Sequence, residues 1–130
     1  MYVLDTNTLI YFFKGKGRVA GRMLVEAPAN IGIPSVVLYE LETGIAKSAS
    51  PNKRSRQLKI LMEAAVLLPF STEEAKASAV IRARLEIKGL LIGPIDILIA
   101  GTAVANQGTL VTHNLTEFSR VDGLNTEDWY

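Results

Sequence analysis

The 130-residue chain contains no cysteine and only one histidine. The absence of cysteine excludes disulfide bonds, thiolate zinc sites and a cysteine nucleophile. The single histidine excludes a metal site built on several histidines. Any chemistry in this chain must therefore depend mainly on carboxylates, hydroxyls, amides and basic side chains.

Long apolar runs are also absent. The longest such run, residues 89–105, is interrupted by an aspartate. It is also shorter than the roughly 20 residues that a membrane-spanning helix needs. No basic region typical of an export signal precedes the first apolar residues. We therefore expect a cytoplasmic protein folded as one domain over residues 1–130.

The net charge is only +1, yet the charged residues are unevenly distributed. Basic side chains cluster in residues 14–22 and 47–59, and acidic side chains cluster in residues 117–130. Basic clusters on a nearly neutral protein are typical either of a solvated helix face or of a surface that binds a polyanion.

Short apolar segments alternate with helical stretches along the whole chain. Candidate strands lie at 2–4, 31–33, 66–70, 109–112 and 124–126, the last as an edge strand. One of the intervening helices is predicted over residues 36–48, with Ser35 as its N-cap. The alternation predicts an α/β fold, a three-layer α/β/α sandwich around a parallel sheet of four to five short strands.

Polar residues follow two of the predicted strands immediately. The first strand is followed by Asp5, Thr6 and Asn7, and the fourth ends in the cluster Thr112-His113-Asn114. Ligands of parallel sheets bind beyond the carboxyl ends of the strands. Both clusters are therefore expected at one edge of the sheet.

Asp96 lies near the start of an almost wholly apolar helix, residues 94–106. Stabilisation of the helix dipole explains an acid in this position. However, the chain has no lysine or arginine between residues 89 and 108. A buried carboxylate without a basic partner is also typical of a metal ligand.

Two further acidic candidates are less well defined by periodicity. Glu40 and Glu42 lie equally far from the apolar face of their helix, and only the space left by Gly44 weakly favours Glu40. Glu117 follows the second polar cluster closely, where a solvated loop acid is the simpler interpretation. Three or four converging carboxylates would suit Mg²⁺ or Mn²⁺, which prefer oxygen ligands, and phosphoester chemistry.

Four segments of the chain resemble the motifs of PIN-domain ribonucleases. They read MYVLDTN, YELETG, IGPIDILIAGTA and TLVTHNLTEF, in the family's order and spacing. The chain is most similar to the VapC toxins of bacterial type II toxin–antitoxin pairs, and the ending GLNTEDWY is similar to one branch of them. The resemblance covers the whole chain and implies a single PIN domain.

The resemblance implies a metal site and its ligands. It assigns Asp5, Glu40 and Asp96 as catalytic acids that bind Mg²⁺ or Mn²⁺, which decides between Glu40 and Glu42. The fourth catalytic position is usually aspartate in this family and is Glu117 here, so direct or water-mediated metal binding stays open for it. The implied supporting polar residues are Thr6, Asn7, Thr112 and Asn114.

The resemblance also implies function and partners. It predicts a metal-dependent endoribonuclease that cuts structured RNA, in this branch the anticodon region of initiator tRNA, and thereby inhibits translation. The expected partners are a VapB antitoxin and a second copy of the chain. The basic side chains Lys53, Arg54 and Arg56 are candidates for contacts with RNA phosphates, or for a surface that binds the dimer partner or the antitoxin.

Two alternatives of other classes remain. A haloacid-dehalogenase-type phosphatase also has an aspartate after its first strand, but it needs a second aspartate where this chain has Asn7. The other alternative is a catalytically weak PIN-like module that binds RNA or a protein. For His113, Trp129 and Tyr130, structural packing is the simpler interpretation, and base stacking by the two terminal aromatics is the functional one.

Overall fold

The structure is a computed structural model that describes all 130 residues. Its centre is a five-stranded parallel sheet with the strand order β3-β2-β1-β4-β5. The strands are β1 (Tyr2–Leu4), β2 (Ile31–Pro34), β3 (Val66–Leu68), β4 (Thr109–Val111) and β5 (Asn125–Glu127). The predicted parallel sheet of short strands is confirmed, including the edge position of the last strand.

Seven α-helices and one 3₁₀ turn connect the strands. The helices are α1 (Thr6–Lys14), α2 (Val19–Leu24), α3 (Ser35–Ala46), α4 (Pro51–Ala64), α5 (Thr72–Lys88), α6 (Pro94–Ala105) and α7 (Leu115–Phe118), and the 3₁₀ turn is Pro28–Asn30. None of these helices combines the length and the hydropathy that crossing a bilayer requires.

The direction of the chain through the sheet changes between β3 and β4. The chain passes from β1 to β2 to β3 in one direction, and then returns past β2 and β1 to β4. Because parallel crossover connections are right-handed, this reversal places helices on both faces of the sheet. The three-layer α/β/α sandwich is therefore confirmed. The neighbouring strands β1 and β4 form the switch point, where open α/β sheets bind ligands.

The core lies on both sides of the three central strands. Val3 and Leu4 of β1 and Leu110 and Val111 of β4 are fully buried, which matches the continuous apolar runs of internal parallel strands. Helix α6 packs tightly against α5, and at Gly101 any Cβ atom would collide with Ser78. The close packing of these two helices therefore requires glycine at that position.

The predicted N-cap role of Ser35 is wrong. Pro34 occupies the cap position, and Ser35 is the first residue of α3. The Ser35 hydroxyl instead donates a hydrogen bond of 2.9 Å to the carbonyl of Leu68, at the end of the neighbouring strand β3. The Ser35 side chain therefore bonds to a carbonyl of the sheet, and not to the free N–H groups at the start of α3. Helix α3 also ends at Ala46, two residues before the predicted end.

Candidate active site

Asp5 follows β1 directly and is also the N-cap of α1. Its carboxylate accepts a 2.9 Å hydrogen bond from the backbone N–H of Thr8, and its side chain is buried. Burial raises the pKa of Asp5, while hydrogen bonds from Thr112 and Thr8 oppose this rise. The cap therefore fixes the Asp5 carboxylate at the switch point of the sheet.

Helix α3 presents Glu40, and not Glu42, to the end of β1. The Thr6 hydroxyl donates a 2.5 Å hydrogen bond to Oε1 of Glu40, which is half-buried, whereas Glu42 is exposed. Thr6 therefore orients Glu40 in this structure, whereas the resemblance to PIN-domain ribonucleases implied Asp5 as its partner. Periodicity could not make this distinction, because the contact comes from another helix.

Asp96 is half-buried in the first turn of α6. Burial, followed by the negative charges of Glu117, Asp5 and Glu40, raises the pKa of Asp96 to about 6. Gly93 contributes to the close packing here, because a Cβ atom at that position would lie 3.2 Å from Oδ2 of Asp96. The four acids therefore interact electrostatically around Asp96.

Glu117 joins this group from the short helix α7. The side-chain amide of Asn114 donates a 3.0 Å hydrogen bond to Oε2 of Glu117, and the Thr112 hydroxyl accepts a 3.0 Å hydrogen bond from the backbone N–H of Asn114. The segment after β4 is thus connected to both Asp5 and Glu117. Asn7, by contrast, is exposed in the first turn of α1.

Asp5, Glu40, Asp96 and Glu117, here called the carboxylate cluster, have no basic partner. The ion pairs of the structure involve other acids, namely Glu127, Glu86, Asp122 and Asp128. As the side chains are placed, no three of the acids are close enough together to bind one ion. The cluster nevertheless concentrates negative charge on oxygen atoms without compensation, and this donor chemistry fits Mg²⁺ or Mn²⁺.

A cavity of about 310 Å³ opens beside the carboxylate cluster, between α1, α3 and α4. Glu40 lines it together with the basic side chains of Lys14 and Arg54. The exposed residues Lys53 and Arg56 are not among its lining residues. Of the three predicted RNA contacts, only Arg54 therefore lies beside one of the acids, and Lys14 joins it from the other basic cluster.

The sequence profile of the PIN domain family matches residues 2–124. The chain belongs to this family. Ribonuclease VapC2 of Rickettsia felis is 37% identical over 131 residues, with 99% of this chain and 98% of that protein covered. The tRNA(fMet)-specific endonuclease VapC of Salmonella typhimurium is 34% identical, with 98% and 97% covered. Within the PIN domain family, the chain therefore belongs with the VapC ribonucleases.

The fold comparison agrees with this assignment. The crystal structure of VapBC2 from Rickettsia felis, bound to a DNA fragment from its promoter, matches with a TM-score of 0.93 and 35% identity. The match covers 99% of this chain and 98% of that chain. The predicted membership of the PIN-domain VapC ribonucleases is therefore confirmed.

Proposed function

We propose that this protein is a metal-dependent endoribonuclease toxin that cuts structured RNA. The observation that carries the proposal is the carboxylate cluster at the switch point of the sheet, in a chain with relatives named ribonucleases. Three separate helices and the end of β1 supply its members. The carboxylates of the cluster repel one another, and a bound divalent cation would remove this repulsion.

The cation would be held by Asp5, Glu40 and Asp96, with Glu117 as a direct or water-mediated ligand. When bound, Mg²⁺ or Mn²⁺ neutralises phosphate charge and lowers the pKa of a coordinated water. The protein's own hydrogen bonds orient the acids for this role, since Thr6 holds Glu40 and Asn114 holds Glu117.

The substrate that we propose is initiator tRNA, cut in its anticodon region, so that translation is inhibited. The name of the Salmonella typhimurium relative supports this substrate. We also propose a VapB-type antitoxin as the neutralising partner. The similar structure from Rickettsia felis, which supports this partner, is a VapBC complex. A homodimer and a cytoplasmic location complete the proposal.

The decisive experiment is cleavage of purified tRNAs in the presence of Mg²⁺ or Mn²⁺. We expect initiator tRNA to be cut in the anticodon region, and an elongator methionine tRNA to be cut much more slowly. Sequencing of RNA 5′ ends after expression in bacteria should find the same cut. Binding of tRNA without any metal-dependent cut would contradict the nuclease and favour a binding module.

The position of Arg54 predicts a role in RNA binding that Arg56 does not share. Replacement of Arg54 by alanine should weaken RNA binding and reduce the slope of log K against log salt by about 1, because one phosphate contact is lost. The matched variant Arg56→Ala removes the same charge from an exposed position outside the cavity. An Arg54→Ala slope equal to that of the wild type, measured in titrations from low to high salt, would show that Arg54 contacts no phosphate.

A further inference from the structure

The aromatic residues near the end of β5 divide into a buried one and an exposed one. Trp129 is almost completely buried, whereas Tyr130 is 43% exposed. The ring of Tyr130 stacks on the imidazole of His113, with centroids 4.3 Å apart and an interplanar angle of 22°. The side chain of His113 is itself 46% exposed. These two stacked rings, here called the ring pair, are therefore accessible from solvent.

Contacts from several elements hold the ring pair in place. Nδ1 of His113 lies 2.9 Å from a carboxylate oxygen of Asp128, which fixes the imidazole orientation. Tyr11 of α1 packs edge-on against both rings, with centroid distances of 5.9 Å and 4.8 Å. The ring pair is thus ordered before any ligand binds, which lowers the entropic cost of binding.

The backbone beneath the ring pair is fixed as well. The N–H of Arg18 donates a 3.0 Å hydrogen bond to the carbonyl of Trp129, and a Cβ atom at Gly17 would lie 2.6 Å from the carbonyl carbon of Tyr130. Gly17 also has a φ of +63°, which favours glycine. The loop between α1 and α2 therefore packs closely beneath the exposed tyrosine.

Covalent connection places the ring pair beside the carboxylate cluster. His113 follows Thr112, whose hydroxyl holds Asp5, and precedes Asn114, whose amide holds Glu117. Burial raises the pKa of Asp128, but hydrogen bonds from the backbone of Tyr130 and from His113, and to a smaller extent the charge of nearby Arg18, hold this pKa below its usual value. The backbone of His113 therefore lies one residue from two side chains that hold acids of the carboxylate cluster, and Arg18 lies near Asp128, which holds the imidazole.

We propose that the ring pair of His113 and Tyr130 is a stacking platform for one unpaired nucleobase of the RNA, next to the phosphate that is cut. This inference rests on the proposed ribonuclease function and adds a specificity site to it. Stacking on aromatic rings accepts any base, so the platform would select an unstacked loop nucleotide and not a particular sequence. Such selection suits an enzyme that cuts loops of structured RNA.

The test measures the coupling between the platform and a single base. The probe is an RNA hairpin with the loop of the initiator anticodon, together with a series in which each loop nucleotide in turn is abasic. Binding is measured with Mg²⁺ present, and the Asp96→Asn substitution prevents cleavage. We expect one abasic position to weaken binding roughly 10-fold, in line with the loss of one stacked base.

The same series is then measured with Tyr130→Leu and with His113→Leu, each in the Asp96→Asn background. Both variants should bind the intact hairpin roughly 10-fold more weakly than the Asp96→Asn protein does. The abasic substitution at that one position should cause no further loss of their affinity. Tyr130→Phe keeps the ring and should behave like the parent. Melting temperatures confirm that each variant is folded, and either leucine variant alone suffices for the comparison.

Two results would overturn the proposal in different ways. The first result is that the Asp96→Asn protein with an intact ring pair binds the hairpin, and that each abasic substitution weakens its binding by the same factor as in the leucine variants. The ring pair then has only a structural role. In that case the proposed ribonuclease function is unaffected. If the parent does not bind the hairpin at all, both the platform and the proposed substrate class are wrong.

Discussion

Asp96→Asn should reduce RNA cleavage by roughly 100- to 1,000-fold, because the amide removes one charged ligand from the proposed metal site. The side chain keeps its size, so that packing around Gly93 should be unchanged. The measurement is the rate of tRNA cleavage at saturating Mn²⁺. Its matched control is Glu42→Gln, which makes the same change of charge at an exposed position on α3 and should leave the rate unchanged.

The same substitution should stabilise the metal-free protein. Burial and the neighbouring acids raise the pKa of Asp96 from 3.8 to about 6, so its ionised form is unfavourable in the folded state. At full value such a shift corresponds to roughly 3 kcal/mol, which partial solvent exposure reduces to about 1 to 2 kcal/mol. The melting temperature of Asp96→Asn without metal should therefore exceed that of the wild type by about 4 °C or more at pH 7 to 8.

The pH dependence of this difference follows from linkage. A raised folded pKa means that the destabilisation is fully present above about pH 6, and that it disappears as the pH falls toward 3.8. The two melting temperatures should therefore converge near pH 4. A variant that loses both activity and stability at neutral pH would instead indicate a structural role for Asp96.

Local sequence signals were sufficient for most of the fold and for singling out two of the acids that the structure brings into the carboxylate cluster. The strand that precedes Asp5 is apolar and short, and no basic residue accompanies Asp96 in its apolar helix. Both signals lie within a few residues of the acid itself. The capping box at Ser71 and the left-handed Gly89 likewise depend only on residues at the two ends of α5.

Contacts between distant elements could not be derived in this way. The preference for Glu40 over Glu42 comes from the hydroxyl of Thr6, 34 residues away in sequence. The hydrogen bond of Ser35 depends on β3, and the stacking of Tyr130 on His113 depends on β5 lying next to β4. In each case the partner is set by the order of strands in the sheet, which local patterns do not contain.

Removal of divalent cations should abolish cleavage and lower the stability of the folded protein. No ion pair offsets the charge of the carboxylate cluster, so a bound cation relieves repulsion that is present only in the folded state. Mn²⁺ at 10 times its dissociation constant should stabilise the protein by about 1.4 kcal/mol. This corresponds to a rise in melting temperature of roughly 5 °C, which excess EDTA should reverse.

The Asp96→Asn variant provides the internal control for this metal response. It retains the fold but lacks one proposed ligand, so its melting temperature should change much less with Mn²⁺ than that of the wild type. Glu42→Gln should respond as the wild type does, because Glu42 is exposed and lies outside the carboxylate cluster. The wild-type melting temperature could stay constant from zero to millimolar Mn²⁺, or it could rise equally in the wild type and in Asp96→Asn. Either result would show that the cluster is not the metal site. Stabilisation confined to chains with an intact Asp96, together with cleavage that EDTA abolishes, would place cation binding and RNA cleavage at the same carboxylates.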